Sequence, residues 1–240
     1  MNPDFVQLDR QFSLISKTQE EAKHADFLDI WGDSKSKSWS QIEDEYRTVI
    51  LAEAGAGKTE EMKQRALHGV AIGRSAYFIR IEDIDGDFQN AFEVGDSESF
   101  DDWLASSDEA WFYLDSVDEA RLKDPAAFRK AIQKFAKKIK KCAHRAHIIV
   151  SSRPYAWKPL ADRVFMDGEL YLPAPVSQEG ADEEDKKQDA KDRSALQVFR
   201  LKPLDKNRVR LFSEAREVVD FESLWTEIER LDLQDLSERP

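Results

Sequence analysis

The sequence has one cysteine and four histidines in 240 residues. A lone thiol, Cys142, can form no internal disulfide, and no cysteine-based zinc cluster can be assembled around it. No apolar run approaches the ~20 residues needed to cross a bilayer. Residues 1–10 hold no apolar stretch of the kind a secretion signal carries. Positive charge is also short: 36 Lys and Arg face 48 Asp and Glu, a formal net charge of −12. That balance argues against a general DNA or RNA coat, which needs a basic face, while leaving room for a local basic patch. The chain is therefore expected in the cytoplasm, without a membrane span or a structural metal. With 41% hydrophobic residues it still has the means to build a core. Its length suits one α/β domain.

Residues 1–45 form a polar, mixed segment with a short helix expected over 18–31 and a Ser/Lys-rich stretch over 33–40. The segment is too short for a second catalytic domain of ordinary size. The character changes with Thr48-Val49-Ile50-Leu51-Ala52, an apolar, β-branched run without alternation. Such a run suits a strand buried on both faces of a parallel sheet. Further strands are expected over 76–81, 111–114, 147–152 and 198–201, and helices over 58–70, 99–106, 206–218 and 222–231. Ser97 or Ser99 is the expected cap of the second of these helices. Another helix should open at Asp124-Pro125. In it Phe128, Ile132, Phe135, Ile139 and Cys142 recur at helical spacing and define one buried face. The opposite face carries Lys134, Lys137, Lys138, Lys140 and Lys141, which reads as a solvated surface or, alternatively, as a nucleic-acid patch. Residues 177–194 are almost free of apolar side chains and read as a solvated, disordered loop inserted in the domain. Strands alternating with helices predict an α/β fold whose parallel sheet is covered on both faces. On such sheets ligands bind beyond the carboxyl ends of the strands.

The strongest chemical signal is Ala52-Glu53-Ala54-Gly55-Ala56-Gly57-Lys58-Thr59. It follows the phosphate-loop pattern GxxxxGK and then Ser or Thr, with Ala52 in place of the first Gly. Small residues between Glu53 and Gly57 let backbone N–H groups close around phosphate oxygens. The helix that follows turns its positive end to the same charge. Lys58 would reach the β- and γ-phosphates, and Thr59 would offer its hydroxyl to Mg²⁺. Glu60 and Glu61 suit the helix dipole but stand close to phosphate, so they should point away from it. About 55 residues downstream, Trp111-Phe112-Tyr113-Leu114-Asp115 is an apolar strand ending in a carboxylate. Asp115 would hold Mg²⁺ through water, because Mg²⁺ keeps part of its hydration shell. Asp118 and Glu119 follow in the same turn. They could orient or activate an attacking water, or simply cap the next helix. Trp157 reads as a packing residue, with contact to a base as the alternative. His144 and His147 are not read as ligands.

Taken together, these residues resemble the NACHT-type NTPases of the STAND class of signalling P-loop ATPases. The phosphate loop is similar to that family's GEAGxGKT form. Leu114-Asp115-Ser116-Val117-Asp118-Glu119-Ala120 resembles its Walker B motif, with a small residue after the Mg²⁺ aspartate and two acids three and four positions on. Ile148-Ile149-Val150-Ser151-Ser152-Arg153-Pro154 is similar to the strand that ends in the family's sensor arginine. The resemblance implies that Arg153 reports the γ-phosphate. It also implies a P-loop core over residues 46–204 with a parallel five-stranded sheet in the order 5-1-4-3-2, the last strand leading out through Leu201-Lys202-Pro203-Leu204. Residues 205–240 would be helices leading toward a helical module that the chain does not include.

By that resemblance the expected function is an ATP- and Mg²⁺-binding switch with slow hydrolysis. It would form homo-oligomers when ATP-bound and work with sensor and effector modules that the sequence does not identify, as bacterial members do in defence against phage. Alternatives are a working ATPase such as a motor or nucleic-acid remodeller, a nucleotide-binding interaction module without turnover, and a metabolic kinase. A motor would draw only on the lysine face, and no residues declare an acceptor pocket for a kinase.

Overall fold

The computed structural model describes residues 5–15, 36–124, 126–171 and 195–233. The helix expected over 18–31, the loop expected over 177–194 and Pro125 lie outside the described residues. Seven strands make one sheet: β1 (Phe12–Leu14), β2 (Arg47–Leu51), β3 (Ser75–Arg80), β4 (Phe92–Val94), β5 (Ala110–Asp115), β6 (Ala146–Ser152) and β7 (Gln197–Leu201). Their spatial order is β1-β7-β2-β6-β5-β3-β4. The five inner strands pair in parallel, while β1 on β7 and β4 on β3 are antiparallel. The fold is thus α/β, but the sheet is mixed and seven-stranded rather than the parallel five-stranded sheet expected. The two added strands are three residues each. Phe12-Ser13-Leu14 and Phe92-Glu93-Val94 are too short to show a period of their own. Antiparallel margins on an otherwise parallel sheet are common.

The helices are α1 (Trp39–Glu43), α2 (Lys58–Ala71), α3 (Ile81–Ile84), α4 (Ser97–Ala105), α5 (Val117–Lys123), α6 (Ala127–Ile139), α7 (Pro159–Glu169), α8 (Lys206–Ala215) and α9 (Phe221–Arg230). They cover both faces of the sheet, which is why the central strands carry unbroken apolar runs. Successive side chains of a strand alternate between the two faces. Accordingly Val49, Leu51, Phe112, Leu114, Ile148 and Val150 enter one core with α4, α6 and α7. Ile50, Phe78, Tyr113 and Ile149 enter the other with α1 and α2. The helical stripe of α6 faces the first core, with Phe128, Ile132, Phe135 and Ile139 all buried.

Two helix starts differ from expectation. α4 is capped by Asp96, which accepts from Ser99 N–H at 2.8 Å, and not by Ser97 or Ser99. Ser99 Oγ in return accepts from Asp96 N–H at 3.2 Å, so a reciprocal box forms one residue before Ser97. α6 begins at Ala127, because the Asp124 carboxylate first closes a turn on Ala126 N–H at 2.9 Å.

The segment before β2 belongs to the fold. Phe12 of β1 is fully buried and meets Trp39 edge-on, with ring centroids 4.8 Å apart. A third cluster joins Leu8 to Leu204, Val209 and Phe221, so α8 and α9 rest on the same segment. Among the described residues no helix is long and apolar enough to cross a membrane. Replacing Phe12 by Ala should cost about 3–5 kcal/mol, the range for emptying a buried aromatic site. Urea denaturation would check this; a loss near zero would mean that β1 contributes nothing to the cooperative unit.

Candidate functional site

The carboxyl ends of β2, β5 and β6 converge on one side of the sheet, and the chemical residues follow directly from them. After β2 the chain turns through Gly55 and Gly57, with φ of +75° and +78°. Only glycine takes this left-handed conformation without steric cost. Gly57 is the N-cap of α2, so Lys58, Thr59 and Glu60 are its first turn, where backbone N–H groups point out of the helix end. Lys58 is only 8% exposed. Among the described residues its ammonium makes no hydrogen bond or ion pair with a protein group. A lysine can cover its stem in this way while its ammonium stays in contact with water.

Next to Lys58, Thr59 Oγ1 donates to Asp115 Oδ2 at 2.7 Å. The other oxygen of Asp115 accepts from Ser151 Oγ of β6. Ser151 Oγ in turn accepts from Ser116 N–H at 2.9 Å. Asp115 is completely buried, and hydroxyls from two different elements satisfy it. Ser116 then takes a left-handed conformation, φ +71° and ψ +67°, as the N-cap of α5. A non-glycine residue in this region stores strain. The turn delivers Asp118 and Glu119 as the first acids of a helix.

Those two acids are parted. Asp118 is buried and lies 2.8 Å from Arg153 Nε, at the residue that follows β6. The pair is close but poorly directed: neither Arg153 Nε nor Asp118 Oδ1 has an aligned hydrogen bond among the described residues. Glu119 is 40% exposed and sits 3.6 Å from Arg80 Nη1 at the end of β3. Arg80 also bonds to Glu93 of β4, which accepts from Lys63 of α2 at 2.8 Å. That carboxylate holds the Arg80 guanidinium above its ordinary pKa.

Thus the structure makes two pairs, Thr59 with Asp115 and Asp118 with Arg153, with Lys58 adjoining the first in sequence and Glu119 beside Arg80. Glu53, Ala54 and Gly55 are exposed on the loop, and Ala56 and Gly57 are half-buried. Glu60 and Glu61 turn aside. Glu60 accepts from Gln64 Nε2 at 2.8 Å, and Glu61 accepts from Trp39 Nε1 at 2.9 Å. Burial raises the pKa of Glu61, against the opposing charge of Arg10. Trp157 is buried and acts in packing. His147 lies against Tyr46 and Trp111, at centroid distances of 4.4 and 4.9 Å, near the start of β6. On α6, Lys134 donates to the Asp85 and Gly86 carbonyls, both at 3.0 Å. Lys138 lies 4.5 Å over the Phe88 ring. Part of the lysine face is therefore engaged in folding.

Several contributors had little or no local signal. Ser151 could be read from the polar pair that ends an otherwise apolar strand. Arg80 could be read as a charge closing β3. Arg10 could not: it is 42 positions before Ala52 in the sequence, and its guanidinium bonds to Ala56 O at 3.0 Å and Lys202 O at 3.0 Å. Asp162 of α7 is equally silent; it takes Arg121 Nη2 at 2.6 Å and Lys158 N–H at 2.7 Å.

For a divalent ion, the fit test is the donor set. Thr59 and Asp115 are hard oxygen donors already in contact. Among the described residues no group of three or more His, Cys, Asp or Glu is placed to hold a metal ion. An ion here would therefore complete its shell with water and ligand oxygens, which suits Mg²⁺. No family model matches the chain, and no curated protein matches it.

The Asp118–Arg153 pair can be weighed by a double-mutant cycle. Arg153→Ala should cost about 1–3 kcal/mol, because it leaves the Asp118 carboxylate buried and unpaired. Adding Asp118→Asn should recover part of that loss. Additive losses in urea unfolding would show that the pair is not coupled.

Proposed function

We propose that the chain is the nucleotide-binding core of a NACHT-type STAND NTPase, a switch governed by Mg²⁺ and ATP. The observation that carries this reading is Lys58. Its stem is largely covered and its ammonium has no protein acceptor among the described residues, at a helix N-terminus turned by two left-handed glycines and beside the Thr59–Asp115 contact. A polyphosphate supplies the missing negative charge and accepts from N–H groups at the start of the helix. The sheet adds support. Counted in chain order, the inner strands β7-β2-β6-β5-β3 run 5-1-4-3-2, the order expected of a P-loop core. The ligand would lie beyond the carboxyl ends where the strand order reverses.

In this reading Glu53, Ala54, Gly55, Ala56 and Gly57 wrap the phosphates, and Lys58 neutralises the β- and γ-oxygens. Thr59 and Asp115 hold Mg²⁺, which supplies charge neutralisation at the transferred phosphoryl group. Asp118 and Glu119 orient the attacking water. Glu119 is the more accessible of the two, since Asp118 is tied to Arg153. Arg153 has a third of its side chain open to solvent and can exchange Asp118 for a γ-phosphate oxygen. Such an exchange gives the nucleotide different contacts in two states, which is what a population shift requires. ATP-bound copies then oligomerise and pass the signal through sensor and effector modules, as in phage defence. The engagement of Lys134 and Lys138 within the fold weakens the motor alternative.

Calorimetric titration with Mg²⁺ and ATP tests the reading. Wild type should bind saturably, and Lys58→Ala should weaken binding about a hundredfold or more. Asp115→Asn should weaken only the Mg²⁺-dependent part. Undiminished affinity in Lys58→Ala would overturn the site. Analysis of nucleotide released on denaturation covers the case in which wild type is already loaded. Turnover that survives neutralising both Asp118 and Glu119 would remove them as the acids that orient water.

A further inference from the structure

Arg10 lies outside every motif, yet it is the side chain that grips the phosphate loop from behind. It is 2% exposed, and its two terminal nitrogens divide between the Ala56 carbonyl in the loop and the Lys202 carbonyl just past β7, each at 3.0 Å. In a trans peptide the C=O and the following N–H point in opposite directions. Fixing the Ala56 carbonyl on Arg10 therefore turns the Gly57 N–H to the opposite side of the loop. Gly57 is left-handed, and a Cβ at Gly55 would meet nothing within 4 Å, so sterics alone do not hold this loop in one orientation.

The residues around Arg10 are themselves anchored. Leu8 is buried against Leu204, Val209 and Phe221. Arg208 of α8 donates to the Leu8 and Asp9 carbonyls, both at 2.9 Å. Phe12 enters the sheet two residues on, and Lys202 N–H donates to Gln11 O at 2.8 Å. The charged groups acting on Arg10 are Glu61, which favours its cation, and Arg208, which opposes it.

We propose that Arg10 is a positioning residue for the phosphate loop, through which the docked segment around β1 sets the affinity of the site for its nucleotide. This rests on the nucleotide reading above. Arg10 presets one peptide, so less ordering is left to the binding step. Coupling of this kind is reciprocal: nucleotide in the loop must also tighten the docking of the segment.

The test uses the full chain, Mg²⁺ and ATP. Arg10→Lys keeps a cation beside Glu61 but cannot span both carbonyls. Its affinity should fall about tenfold at temperatures where circular dichroism shows it folded. The double variant Arg10→Ala with Glu61→Gln should behave alike. Arg47→Lys is the control for buried arginines in general. Arg47 bonds to the Leu170, Tyr46 and Ala143 carbonyls at 2.8, 2.7 and 2.9 Å, at the opposite end of β2 from the loop. Arg47→Lys should melt earlier and bind as wild type does. In wild type, nucleotide should slow amide exchange over residues 8–12 as well as 53–59, a result that decides the matter even if neither Arg10 variant folds. Unchanged affinity in a folded Arg10 variant, or protection confined to 53–59, would overturn the proposal and leave the nucleotide site standing. A wild type that binds no nucleotide would overturn the nucleotide reading and this inference with it.

Discussion

The Asp115 carboxylate takes its hydrogens from Thr59 at the start of α2 and from Ser151 near the end of β6, and its own following residue returns a bond to Ser151. A charge without solvent is tolerated only when hydrogen bonds satisfy it. Here each of those bonds comes from a different part of the chain. The carboxylate thereby fixes the distance between the helix that carries the loop and two neighbouring strands. It also bears on where α5 begins, because the left-handed Ser116 has its N–H anchored to the same Ser151. The positions of Asp118 and Glu119, and through Asp118 that of Arg153, follow from the same anchor.

Around this point the sheet supplies rigidity of a general kind. Both faces of the central strands are packed, so each strand residue is fixed by one core or the other. The site itself sits where that packing ends, at the carboxyl ends of the strands, and there polar contacts take over. The two acids after Asp115 fall on opposite sides of this boundary. Asp118 is drawn inward to an arginine, and Glu119 remains near solvent beside Arg80.

How much of this was legible in the sequence depends on how local the cause is. The inner strands announced themselves as unbroken apolar runs, because burial on both faces is written into each residue of the run. The glycine turn into α2 was legible because glycines and a lysine at fixed offsets mark it on their own. The acidic strand end and the arginine after β6 could be read for the same reason. β1 and β4 could not, since three residues carry no period and their pairing depends on partners far away in the chain. Arg10, Asp162 and the Trp39–Glu61 bond were hidden for a related reason. Each is a long-range bond between a polar side chain and a group that its own neighbours do not suggest. The caps of α4 and α6 lie one to three residues from those expected because aspartates compete with nearby serines and prolines for the same turn.

The short antiparallel strands at the two margins also bear on how the molecule meets others of its kind. A sheet edge is a row of unpaired N–H and C=O groups, a template on which another chain can continue the ladder. Here each margin is only three residues long, and β1 is further closed by a pair of backbone bonds between Phe12 and Lys37. β4 carries Glu93, whose charge is engaged by Lys63 and Arg80. Among the described residues the sheet thus ends in a short strand on both sides and offers little purchase for strand-by-strand accretion.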